Sequence, residues 1–221
     1  MPKSVYIDIG NSFTKIKSSQ RITTIDNHFF SLPSFEVDCD ILVSCVSGDL
    51  LKSLPKKVKI LSAQKSYKSL HNGYENPTDL GIDRWMAMIA GYEIFKGGGF
   101  IVIDAGTAIT IDIVDHKCKH TGGYILPGFR KILHDFMKFE YNLESASFLP
   151  GKNTAKAWTN GVLAMISYSL EGLVSENMKN DYQVLLTGGD ASIISKHISF
   201  PVHKYENLVL DGLEYYDKSM G

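Results

Sequence analysis

Two stretches decide how this chain folds: Val5-Tyr6-Ile7-Asp8-Ile9-Gly10-Asn11-Ser12-Phe13-Thr14-Lys15-Ile16 and Ile101-Val102-Ile103-Asp104-Ala105-Gly106-Thr107-Ala108-Ile109-Thr110-Ile111-Asp112. Offset by 96 residues, they superpose Asp8 on Asp104, Gly10 on Gly106 and Thr14 on Thr110. Each is a β-branched run, an Asp-x-Gly break, a cluster of small hydroxyl or amide residues, and a second apolar run. That pattern predicts a β-hairpin whose tight turn carries a carboxylate and backbone N–H groups. A turn alone does not require this chemistry twice, so the repeat argues for a duplicated chain with a shared task. Gly97-Gly98-Gly99, just before the second copy, is a natural boundary. The expected domains are therefore residues 1–97 and 98–221, two mixed-sheet α/β halves with flanking helices.

Outward from the hairpins, Ile41–Val46 and Val58–Leu61 read as short strands. Residues 79–95 predict a helix, with Ile82, Trp85, Met86 and Ile89 at helical spacing and Thr78 or Asp79 as N-cap. A helix is expected near 129–140 after Gly122-Gly123-Tyr124-Ile125-Leu126-Pro127-Gly128. A longer one is expected over about 155–178, with Asn153 and Thr154 as caps and Leu163, Ile166, Leu170, Leu173 and Val174 along one face. Tyr182–Leu186 reads as a buried strand closed by Thr187-Gly188-Gly189-Asp190, and a last helix holds Leu210 and Leu213.

Composition narrows the class. The 221 residues are 44% hydrophobic and 21% charged, which is ordinary for a globular protein and excludes collagen-like or disordered chains. With 23 Lys plus Arg against 24 Asp plus Glu, no basic footprint for nucleic acid or an anionic membrane is expected. Three cysteines, Cys39, Cys45 and Cys118, form no C-x-x-C pair and suit a reducing cytoplasm. The N-terminal run meets Asp8 before a signal-peptide core could form, and no apolar stretch is long enough to span a bilayer.

The chemistry-bearing segments suit a polyphosphate. In Asp8-Ile9-Gly10-Asn11-Ser12-Phe13-Thr14-Lys15, Gly10 permits close approach of the backbone, Asn11, Ser12 and Thr14 offer donors, and Lys15 offers a point charge. Asp8, at a strand end, is placed to hold a hydrated Mg2+. The Asp104 copy would supply a second such loop. Gly188 and Gly189 would let a flat ring lie against the backbone. Gly81-Ile82-Asp83-Arg84 falls in the first turn of a helix, where the carboxylate of Asp83 stays ionised as a proton acceptor and Arg84 could dock a carboxylate.

Taken in order, Asp8-x-Gly10-Asn11-Ser12-x-x-Lys15, Gly81-x-Asp83-Arg84, Asp104-x-Gly106-Thr107-Ala108, Gly122-Gly123-x-Ile125-x-Pro127-Gly128 and Thr187-Gly188-Gly189-Asp190 resemble type III pantothenate kinase nearly end to end. That family belongs to the acetate and sugar kinase, Hsc70 and actin superfamily, so the resemblance implies a duplicated RNase H-like, actin-like ATPase fold. It implies ATP-dependent phosphorylation of pantothenate to 4′-phosphopantothenate, the first step of coenzyme A biosynthesis. It assigns Asp8, Ile9, Gly10, Asn11, Ser12, Phe13, Thr14, Lys15 and Thr107 to ATP, with Asp8 near Mg2+. Tyr74, Gly81, Ile82, Asp83, Arg84 and Thr154 fall to pantothenate, with Asp83 as catalytic base. Asp104 falls to a monovalent cation, K+ or NH4+. It further implies a cytoplasmic homodimer, for which the 155–178 helix and Trp158 are candidate interface. Ser12 stands where the family's loop often has Thr, and the hydroxyl is retained.

Other readings are separable. A non-catalytic accessory factor for transcription on the same fold need not keep Asp83, Lys15 and Asp104 together. Another kinase of the superfamily would act on a sugar or short acid. His116-x-Cys118-x-His120 lacks a usual zinc spacing and reads as a surface turn. Lys52, Lys56, Lys57 and Lys59 read as a solvated face, Trp85, Met86 and Met88 as core or interface, and His134 receives no role.

Overall fold

Period-two burial in Ser4–Ile9 puts Val5, Ile7 and Ile9 on one inner face, and from that strand the first sheet grows. In the computed structural model, which describes residues 4–30, 39–48, 50, 54, 58–136, 141–178 and 181–220, β1 (Ser4–Ile9) pairs antiparallel with β2 (Phe13–Ser18), setting Asp8 opposite Lys15. The strand β3 (Arg21–Asp26) extends the meander. On the other side β4 (Asp40–Cys45) runs parallel to β1 with Ser44 opposite Asp8, and β5 (Lys59–Ile60) follows parallel to β4. A two-stranded ribbon, β6 (Ser66–Tyr67) and β7 (Leu70–His71), comes next.

The second sheet uses β8 (Phe100–Ala105), β9 (Ala108–Val114), β10 (His120–Pro127), β11 (Gln183–Thr187) and β12 (His203–Lys204). Strand order is β3-β2-β1-β4-β5 in the first sheet and β10-β9-β8-β11-β12 in the second. Strand for strand these are one arrangement used twice, an antiparallel meander followed by two parallel strands. The duplicated α/β arrangement expected from the paired hairpins is present, in the RNase H-like form that the family resemblance implies. The strands β3, β6 and β7 had no sequence signal: β3 is largely exposed, and β6 and β7 are two residues each, too short to show an alternation.

Helix α1 (Ile82–Phe95) buries Trp85, Met86, Met88 and Ile89, as core. Its N-cap is Gly81, not Thr78 or Asp79. Those two polar side chains are engaged one turn earlier, in the 3-10 turn Pro77–Asp79: Thr78 donates to the Asn76 side-chain oxygen at 3.0 Å, and Asn76 donates to Asp79 at 2.8 Å. Helix α2 covers Phe129–Phe136, and residues 137–140 of the expected helix lie outside the described residues. Helix α3 (Thr154–Asn177) starts where expected, with the Asn153 side chain accepting from the Lys156 N–H at 2.8 Å. Helix α4 is Ala191–Ile194 and α5 is Leu208–Met220.

Two compact units result. The first holds residues 1–98, 114–122 and 207–221, and the second holds 99–113 and 123–206. This differs from a single cut at 97/98, because the tip of the β9–β10 hairpin and α5 group with the first unit. Packing of α5 explains its place. A Cβ on Gly212 would overlap the Met86 carbonyl of α1, Lys17 of β2 bridges Asp211 at 3.0 Å and Glu214 at 2.7 Å, and Ser4 and Tyr6 of β1 donate to Asp217. The core of the first unit gathers Val5, Ile7, Ile9, Ile16, Ile41, Val43 and Val58. That of the second gathers Ile101, Ile103, Ile109 and Ile111 with Leu163, Ile166 and Leu170 of α3. Among the described residues no helix is long and apolar enough to cross a membrane. Lys52, Lys56 and Lys57 lie outside the described residues, and Lys59 is exposed on β5.

Candidate active site

The β1–β2 turn is shaped by hydrogen bonds to its own backbone. Gly10 N–H donates to the Phe13 carbonyl at 3.1 Å, and the Asn27 amide donates to the Gly10 carbonyl at 2.8 Å. The buried Thr14 hydroxyl donates to the Asn27 side-chain oxygen at 2.7 Å, so it holds the loop's shape instead of facing a ligand. Ile9 is likewise core. Asn11 and Phe13 are exposed, while Gly10, Ser12 and Lys15 are half-buried. Asp8 accepts from the Ser44 hydroxyl at 3.1 Å, and the Lys15 ammonium donates to the Asn207 side chain at 3.1 Å. Neither Ser44, Asn27 nor Asn207 stood out in the sequence.

The Asp8 neighbourhood suits one kind of metal. Among the described residues no group of three or more His, Cys, Asp or Glu side chains converges on a point. One carboxylate with one hydroxyl beside it matches a Mg2+ that keeps its waters and arrives with phosphate oxygens.

A second cluster in the same unit surrounds Asp83. Asp83 sits in the first turn of α1, and one carboxylate oxygen accepts from the Arg84 N–H at 2.8 Å. A Cβ on Gly81 would stand 2.6 Å from that oxygen, so glycine leaves the carboxylate room over the helix end. Arg84 is only 6% exposed, and its guanidinium donates to the Tyr74 hydroxyl at 2.9 Å while lying 5.7 Å from the centroid of that ring. Asn72 fixes the approach to Tyr74: its side-chain oxygen accepts the Tyr74 N–H, and its amide donates to the carbonyls of Gln64 and Pro77. Thus Tyr74, Gly81, Asp83 and Arg84 come together, whereas the Ile82 side chain packs inward as core.

The hairpin tip beside them corrects one expectation. Asp115 does turn the chain, accepting from the N–H groups of Lys117 and Lys119, and His116 is exposed. His120, however, is fully buried and stacks on Tyr74 with centroids 5.7 Å apart and planes 17° apart. It belongs to the Tyr74 cluster and not to a surface turn. Sequence offers no sign of this, because the contact spans 46 residues.

In the second unit three glycine-bearing segments meet. Gly188, at φ +97°, lies against the Asp104–Ala105 backbone, where a Cβ would come 2.5 Å from the Asp104 carboxylate. The Asp190 N–H donates to the Ala105 carbonyl at 3.0 Å, and Gly128 N–H donates to the Thr107 carbonyl at 3.0 Å. Asp104 stands opposite Thr187 on β11, as Asp8 stands opposite Ser44 on β4. Asp190 is buried and pairs with Arg130 at 3.2 Å; burial raises its carboxyl above the ordinary 3.8, against the pull of Arg130. Thr107 is exposed on the loop, and Thr154 is the exposed first residue of α3. Trp158 is half-buried against the second core.

Comparison with known proteins gives a consistent picture. A family model described as type III pantothenate kinase matches residues 4–176. A type III pantothenate kinase of Azotobacter vinelandii (strain DJ / ATCC BAA-1303) is 30% identical over 226 residues, spanning 86% of this chain and 89% of the relative. Among solved structures, a Campylobacter jejuni protein described as a conserved Baf family transcriptional activator is similar with a TM-score of 0.67 at 25% identity, covering 98% of both chains. A Sinorhizobium meliloti protein described as a 2-dehydro-3-deoxygalactonokinase shares the fold with a TM-score of 0.62 at 12% identity, covering 98% of this chain and 96% of that one.

Proposed function

Since this chain belongs to the type III pantothenate kinase family, we propose that it transfers the γ-phosphoryl group of ATP to the 4′-hydroxyl of pantothenate. The product is 4′-phosphopantothenate, the entry to coenzyme A. The observation that supports the residue assignment is the convergence of Asp83, Arg84 and Tyr74 at the start of α1, a base beside a carboxylate dock.

The 4′-oxygen attacks the γ-phosphorus as the bond to the ADP oxygen breaks, through a loose transition state that asks for positioning and charge neutralisation. Asp83 orients the hydroxyl and accepts its proton; an aspartate, with an ordinary pKa of about 3.9, is a weak base, so orientation is much of its role. Arg84, buried and held by Tyr74, engages the pantothenate carboxylate. The turn within Asp8–Lys15 takes ATP phosphates, with Lys15 as the point charge. Asp8 would hold Mg2+, which when bound offsets phosphate charge. In the second unit Thr107 contacts ATP, Asp104 would hold a K+ or NH4+ ion, and Thr154 contacts substrate. Three free thiols and the absence of a membrane-crossing helix among the described residues support a cytoplasmic setting.

The test is a coupled ADP-release assay with pantothenate, with and without K+. Pantothenate-dependent ADP, enhanced by K+, is the expected result. No ADP under either condition would favour a non-catalytic accessory factor on the same fold. A panel of sugar and short-acid acceptors in the same assay separates a kinase of other specificity. A homodimer is part of the proposal, with α3 as its surface. Trp158 turns to the core, but Met165 and Tyr168 are exposed along that helix, and Phe148 stacks on Tyr168 at 5.5 Å. Light scattering over a concentration series should return twice the chain mass.

A further inference from the structure

The Arg84 guanidinium donates to the Tyr74 hydroxyl, and Asn72 holds the Tyr74 backbone but not its ring. Tyr74 is half-buried in a loop without regular secondary structure, and a phenol on such a loop would ordinarily sample several rotamers. Its ring is instead matched by a second flat surface, the fully buried imidazole of His120, nearly parallel at 17° and 5.7 Å away. The backbone reinforces the match. His71 N–H donates to the Cys118 carbonyl at 2.8 Å, and His71 bridges Lys119 in parallel. A Cβ on Gly73 would overlap the His120 carbonyl, so only glycine allows the two strands of chain to touch one residue before Tyr74.

We propose that His120 is a positioning residue for pantothenate: through its stack on Tyr74 it holds the Tyr74 hydroxyl at Arg84 and so preorganises the guanidinium for the substrate's carboxylate. The role rests on the reading of Tyr74 and Arg84 as pantothenate-binding residues. Its physical content is a flat, buried surface; proton transfer is not involved. His120 therefore affects how tightly pantothenate is held in ground and transition state alike, and leaves ATP and the chemical step alone.

The experiment compares wild type with His120→Leu, which fills the space without a ring, and His120→Phe, which restores one. Steady-state kinetics are read for both substrates, and thermal melting checks the fold of each variant. In His120→Leu the KM for pantothenate should rise about three- to tenfold, the range an aromatic pair is worth. Its kcat and its KM for ATP should stay within about twofold of wild type, and His120→Phe should recover most of the pantothenate KM. An unchanged pantothenate KM in a folded His120→Leu overturns the role. So does an equal rise in His120→Phe, or a fall in kcat alone. A wild-type chain that shows no pantothenate-dependent turnover overturns the functional reading instead, and that result is visible before any variant is made.

Discussion

Asp83→Asn keeps an oxygen for the Arg84 N–H and nearly the same shape, but removes the proton acceptor. Turnover should fall about 10²–10⁴-fold with ATP affinity by calorimetry unchanged; near-normal turnover would remove Asp83 from the role. At this scale the sequence was readable wherever the chemistry is local. Asp8 to Lys15 and Gly81 to Arg84 lie in single turns, so residue type and spacing carry their meaning. What it hid are the residues that hold those side chains in place. Thr14 meets Asn27 across 13 positions, Asp8 meets Ser44 across 36, and Lys15 meets Asn207 across 192. Serine and asparagine at such separations look like any other surface polar residue. Thr14 shows the cost of this: a hydroxyl that reads as a phosphate donor is buried and engaged by Asn27.

Among the elements, α5 shows most clearly how close packing and charge combine. Gly212 lets α5 approach the Met86 carbonyl of α1, so Gly212→Ala forces the helices apart. It should cost about 2–3 kcal/mol as an overpacked contact, or roughly 5–10 °C in melting temperature; an unchanged melt would mean the contact relaxes freely. Glu214 ties the same helix to β2. Burial alone would raise its carboxyl, but hydrogen bonds from Lys17 and Lys218 prevail and hold it below the ordinary 4.5. A carboxyl with a lower pKa in the folded state contributes stability above its unfolded pKa and loses it as pH falls through the folded value. Melts from pH 7 to pH 3 should therefore decline less steeply for Glu214→Gln than for wild type, and an equal slope would show the pair contributes nothing. Helices α1 and α3 were legible because both carry long apolar faces. The helix α1 starts after Gly81, later than its polar residues predict, because Asn76 draws Thr78 and Asp79 into the preceding turn.

For the whole molecule, the return of the chain to its first unit matters most. Leu208, Val209, Leu210, Leu213 and Tyr216 are all buried by α5. A chain ending at residue 206 should therefore leave β1, β4 and α1 uncovered, lose its cooperative melt, and become sensitive to protease between residues 4 and 98. Persistence of a wild-type melt would show that α5 is dispensable. The repeated Asp-x-Gly hairpins determined, by themselves, that the fold is a duplicated α/β arrangement, because hairpin turns and β-branched runs are encoded over a few neighbouring residues. They also located most of the residues proposed to carry the chemistry. Only the tertiary structure decided that α5 and the 114–122 hairpin tip belong with the first unit, that Ser44 faces Asp8, and that His120 lies against Tyr74. Those facts depend on which distant surfaces bury one another, and burial between remote segments leaves no periodic trace in either one.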